Sequence, residues 1–88
     1  MNRKECLETA MGYVCGDRAA DYGTVEDNFG TIAEFWSTYL GHKVQARDVA
    51  AMMALMKIAR VKSGKKNDNW VDLAGYGACG AEVDGVDS

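Results

Sequence analysis

The sequence predicts an all-α fold, a single bundle-like domain of four helices. Three observations carry this. The 88 residues include no Pro, and helix-forming Ala and Met are plentiful. Apolar residues recur at the 3.6-residue helical period in successive segments. Capping residues and glycines punctuate those segments. The expected helices span about 2–15, 25–40, 46–62 and 68–82, with an acidic tail over 83–88. A chain of this length forms one domain, 1–88, with a marginal core, so it is expected to self-associate as a homo-oligomer.

The first helix starts at Asn2, a cap residue with Glu5 three positions on as its capping-box partner. Leu7, Ala10, Met11 and Val14 fall on one face, and Gly16 ends the helix. Turn formers make a loop of residues 16–24, with Tyr22-Gly23 just before the next cap. Thr24 and Asp27 form a variant capping box for the second helix. Phe29, Ile32, Ala33, Trp36, Tyr39 and Leu40 then give its apolar stripe, and Gly41 stops it. Glu34 points away from that stripe. It reads as a solvated charge or as a metal ligand.

His42–Gln45 is a turn. His42 has no Ser, Cys or Asp partner at a fixed spacing, and no nucleophilic triad pattern occurs in the chain. The third helix carries apolar residues almost all the way round, including Val49, Met52, Met53, Leu55, Met56 and Ile58. Such a helix is expected to be central and covered on most sides. Asp48 in its first turn suits the helix dipole, and equally suits a metal. The fourth helix opens at Asp68 or Asn67. Asp72 follows Asp68 by one turn on the same face, and Gly75 and Cys79 continue that face. Trp70, Leu73, Ala74, Gly77 and Ala81 form the expected packing face. Gly75, Gly77 and Gly80 each weaken a helix by about 1 kcal/mol, so they point to close approach of another helix or a ligand.

Composition narrows the function. The net charge of −3 offers no basic stripe for general nucleic-acid binding. No stretch reaches the length of a membrane span, and MNRKECLETA is not a signal peptide. The three cysteines contain no C-x-x-C pair and read as reduced thiols, which points to the cytoplasm.

Four residues carry the chemistry. Lys57 and Arg60 stand three apart in the apolar third helix, so their stems are neighbours. A buried guanidinium without a partner is costly. Arg60 therefore snorkels out, pairs with a carboxylate such as Asp72, or holds an anionic ligand. Two carboxylates at i, i+4 can share a hard cation, and oxygen ligands favour Mg²⁺ or Mn²⁺ over zinc. Asp68 and Asp72 are thus candidate catalytic and metal residues, and Lys57 and Arg60 candidate phosphate ligands. Asp48 or Glu34 would complete the metal site. Trp70 and Tyr22 are candidate base-stacking platforms. Lys62, Lys65 and Lys66 extend the positive run and suit a solvated helix end.

The segments DYGTVEDNFGTIAEFWSTYL, DVAAMMALMKIARVKSG and KKNDNWVDLAGYGACGAE resemble a family of small helical phage and prophage proteins, over residues 21–82. More distantly, Tyr22-Gly23, then Lys57-x-x-Arg60, then Asp68-x-x-x-Asp72-Leu73-x-x-Tyr76 is similar to the nucleotide-modification-associated domains of phages. Through these, the chain is distantly similar to the MazG-like all-α nucleoside triphosphate pyrophosphatases. That resemblance implies an oligomeric helical bundle using Mg²⁺ to cleave a nucleoside triphosphate to the monophosphate and pyrophosphate. The host cytoplasm would then be its compartment. The chain departs from that pattern in two places. Its third helix offers Asp48 and no second acid, and Asp68 and Asp72 are spaced one residue wider than the superfamily's E-x-x-D. Three functions compete: a Mg²⁺-dependent nucleotide pyrophosphohydrolase, a non-catalytic nucleotide binder or sponge, and a helical protein-interaction module.

Overall fold

A computed structural model describes residues 1–16, 24–64 and 68–85. Among them four helices follow one another: α1 (Arg3–Cys15), α2 (Val25–Leu40), α3 (Ala46–Val61) and α4 (Asp68–Val83). No strand occurs among the described residues. The all-α expectation holds, and each helix boundary falls within a residue or so of the expected one.

Local chemistry sets these boundaries. The Glu5 N–H donates to the Asn2 side-chain oxygen at 2.8 Å, and the Asp27 N–H donates to Thr24 Oγ1 at 3.0 Å. Each bond satisfies an N-terminal amide that lacks an intrahelical partner. At α3 the roles reverse: the Gln45 N–H donates to the Asp48 carboxylate at 2.9 Å. Gly41 ends α2 with φ 67°, a left-handed value that suits glycine, and its N–H donates to the Ser37 carbonyl at 2.9 Å. Ser37 also pins the next turn, because its hydroxyl accepts from the Val44 N–H at 2.7 Å. That contact draws Val44 back into the core.

The core is small. Phe29, Ala33, Val44, Ala46, Val49, Ala50 and Val83 form one buried cluster, with Ile32, Trp36, Met53, Tyr76 and Cys79 packed against it. The α2 stripe therefore holds through Trp36. Tyr39 and Leu40 do not follow it: they lie beyond the point where Val44 closes the core, and Tyr39 is 90% exposed.

α4, rather than α3, takes the central place. It packs against each of the other three helices, whereas α1 touches α4 alone among the described helices. Glycine is the reason. A Cβ added at Gly75 would lie 3.2 Å from Val14 of α1, and one at Gly80 would lie 3.2 Å from the Ala50 Cβ of α3. The approach that these glycines signalled is thus of helix on helix. It also reverses the expected faces of α4. Val71, Gly75 and Val83 are buried, while Trp70, Gly77 and Ala81 are exposed. On α1, Ala10 and Val14 turn toward α4, leaving Leu7 and Met11 exposed. On α3, Ala46, Val49 and Ala50 are buried, but Met52, Leu55, Met56 and Ile58 are not. The described residues of one copy therefore do not cover α3 on most sides.

Candidate functional site

The end of α3, the turn after it and the start of α4 enclose an open cleft of ≈ 530 Å³. Lys57, Arg60, Asp68 and Asp72 all line it, together with Ser63, Gly64 and Asn69. Helical spacing explains the grouping. Lys57 and Arg60 share one side of α3, and Asp68 and Asp72 share one side of α4. The antiparallel helix pair turns those two sides toward one another.

The turn is tight. The Gly64 N–H donates to the Arg60 carbonyl at 2.7 Å. A Cβ at Gly64 would come within 2.6 Å of the Asn69 amide nitrogen and 2.8 Å of the Arg60 carbonyl oxygen. A larger residue there would have to reshape the end of α3 at the Arg60 carbonyl and displace the Asn69 side chain. Ser63, Gly64 and Asn69 were not singled out by the sequence alone. The available signal was their place, within one helical turn of the four charged residues.

Inside the cleft the charges divide unequally. Lys57 Nζ lies 2.8 Å from the Asp72 carboxylate, with side chains 12% and 30% exposed. Lys57, and not Arg60, is thus the structural partner of Asp72. The long stem of Arg60 carries its guanidinium out of the apolar sector, so the residue is exposed. No ion pair of Arg60 occurs among the described residues. Asp68 is exposed in the first turn of α4, where the helix dipole favours a carboxylate.

The remaining candidates lie elsewhere. Asp48 caps the far end of α3 and does not line this cleft. Glu34 is exposed on α2. Trp70 is 52% exposed and does not line the cleft. Tyr22, Lys65, Lys66 and Asn67 fall outside the described residues. Among the described residues, no three of His, Cys, Asp and Glu gather as a metal-holding group. The carboxylates of this cleft are two, which suits Mg²⁺ only where ligand phosphates complete its shell.

Other features bear on the chemistry. Cys6, Cys15 and Cys79 are free thiols. Burial pushes the Cys79 thiol above its ordinary range, and Glu82 and Cys15 add to the effect. That is the opposite of an activated nucleophile. No described helix is long and apolar enough to cross a membrane.

The sequence matches the family described as "Domain of unknown function (DUF6378)" over residues 5–84. It is 45% identical over 74 residues to the Gene 55 protein of Mycobacterium phage D29, an alignment covering 83% of this chain and 49% of that relative. It is 44% identical over 72 residues to the Gene 55 protein of Mycobacterium phage L5, covering 80% and 46%. The chain thus spans about half the length of the curated relatives it matches. No solved structure matches it.

Proposed function

The chain belongs to the DUF6378 family, with phage proteins among its relatives, and on that premise we propose that it handles nucleotides, as a homo-oligomer, in the cytoplasm of a phage's host. The observation that carries this reading is the cleft where Lys57, Arg60, Asp68 and Asp72 converge. A nucleotide is an anion that often travels with a divalent cation, and the cleft offers groups for both.

The residues divide the work as follows. Arg60, exposed and lacking an ion pair among the described residues, binds phosphate oxygens through its planar fork of donors. Lys57 holds Asp72 in place at 2.8 Å and adds positive charge to the cleft wall. Asp68 and Asp72 are the carboxylates that would hold Mg²⁺ together with the ligand's phosphates. Mg²⁺ bound there would supply charge neutralisation for the phosphates. Gly64 leaves room for the Asn69 amide at the mouth of the cleft, where a side chain would intrude. In this MazG-like reading the activity is cleavage of a nucleoside triphosphate to the monophosphate and pyrophosphate.

A specific observation favours a second reading. Asp72 is already engaged by Lys57, and Asp48 and Glu34 line no part of the cleft. The same cleft would then bind a nucleotide by its phosphates without turning it over.

One experiment separates the readings. A panel of nucleotides is screened by thermal shift with and without Mg²⁺, and pyrophosphate release is followed in parallel. A ligand at 100 times its dissociation constant stabilises the fold by about 2.7 kcal/mol. Stabilisation with Mg²⁺-dependent pyrophosphate release supports the hydrolase. Stabilisation without turnover supports the binder. No stabilisation by any nucleotide removes both and leaves the interaction module.

A further inference from the structure

One copy of the chain leaves much apolar surface uncovered. Among the described residues Leu55 is 63% exposed, Ile58 50%, Met52 44% and Met56 41%, all on α3. Among the described residues, Val49, Val71 and Val83 are the large side chains sealed almost completely from solvent.

That exposed apolar surface is ordered along α3. Asp48, Met52, Leu55, Ala59 and Lys62 follow one another in alternating steps of four and three residues. That is the spacing of a seam along which two helices pair. Lys62 belongs to it, because its backbone is still helical at φ −60° and ψ −37°. Leu55 is 63% exposed and Met52 44%, with Ile58 and Met56 exposed on the flanks. Such a stripe exceeds the scattered apolar residues normal on a monomer.

Beside the seam runs a groove of ≈ 320 Å³ between α3 and α4. Ala51, Ala54, Gly77 and Gly80 line it, and a Cβ at Gly77 would meet nothing within 4 Å. One surface thus carries both large protruding side chains and a hollow lined by small ones. A two-fold interface can use both at once, each copy offering its protruding side chains to the other's hollow. Its charges agree: the seam is acidic at Asp48 and basic at Lys62, so an antiparallel copy sets each Asp48 toward the partner's Lys62.

We propose that a second copy of the chain docks antiparallel on this face, α3 against α3, with Leu55 near the two-fold axis. The proposal rests on the self-association included above and assigns it a surface. Phe35 and Tyr39, exposed on α2, do not line this groove.

The test is sedimentation of the full chain across a dilution series. The wild type is expected at twice the chain mass. Leu55→Glu and Leu55→Lys should each weaken the dimer roughly 100-fold or more, as loss of a central apolar anchor does. An equimolar mixture of the two should restore it, and Phe35→Glu should leave it intact. Leu55 is largely exposed, so its replacement spares the core of the single copy. Should either variant unfold alone, co-refolding with the other decides: a folded dimer supports the proposal, and its absence overturns it. A monomeric wild type overturns both the surface and the self-association. A dimer indifferent to Leu55→Glu, or dissolved by Phe35→Glu, overturns the surface alone.

Discussion

The α3–α4 pair has two ends that behave differently. At one end, Val49 and Ala50 of α3 meet Gly80 and Val83 of α4, and the helices touch closely. At the other, Lys57 pairs with Asp72 at 2.8 Å, and Arg60 and Asp68 line an open cleft beside that pair. The first end holds the fold together through apolar burial. The second is held by one ion pair and a tight turn, and water reaches it. The difference teaches that a short helical hairpin can confine its stability to one end. Arg60 and Asp68 can then sit exposed at the other end, spared desolvation costs that the small core could not offset.

The largest expected effect comes from the closed end. Val49 is fully buried, so Val49→Ala removes two methyl-sized groups and leaves a void, at a cost of about 2 kcal/mol. For a domain of this size that lowers Tm by about 8–16 °C, readable by circular dichroism. A much smaller loss would mean that the closed end is not where stability resides.

At the open end, Asp72→Asn is next. It leaves Lys57, 12% exposed, facing an uncharged partner that still accepts a hydrogen bond. The expected destabilisation is about 1–2 kcal/mol. Pyrophosphate release, where the wild type shows it, should vanish while the fold remains. Undiminished release in this variant would break the catalytic reading of the cleft. Arg47 and Asp84 offer a control on the solvent-exposed rim of the closed end. They pair at 3.2 Å with side chains 53% and 59% exposed, so Arg47→Ala should shift stability by less than about 0.5 kcal/mol.

The closed end was only partly legible in the sequence. Caps and glycine stops placed every helix, because those signals are local. Phe29, Ala33 and Val49 were legible as core because the α2 stripe is clean and Val49 sits where α3 must pack. The faces of α4 were not legible. Trp70 and Leu73 outweigh Val71 and Gly75 in any pattern of hydrophobicity, yet the backbone approach that Gly75 and Gly80 permit decides which side is buried. The apolar girth of α3 suggested a central helix, but a pattern cannot say whether the cover comes from the same copy or another. The convergence of Lys57, Arg60, Asp68 and Asp72 could be anticipated, since a short connection forces the helix ends together. Which cation would take Asp72 could not. That depends on depth along α3, and Lys57 sits one turn deeper than Arg60.

Arg60→Ala is the smallest expected change in stability and the sharpest probe of the contrast between the two ends. The residue is exposed and forms no ion pair among the described residues, so its loss should move Tm within the noise of a surface substitution, about 0.5 kcal/mol or less. A nucleotide that stabilises the wild type should nevertheless lose most of its thermal shift, since a charge-assisted contact to phosphate contributes about 1.5–3 kcal/mol. The two readouts separate because the open end contributes little to folding. If Arg60→Ala lowers Tm as far as Val49→Ala does, the guanidinium belongs to the fold, and the cleft is packing surface. If it leaves both Tm and the ligand shift untouched, phosphate is held elsewhere, and the acidic wall of the cleft must be read without its cationic partner.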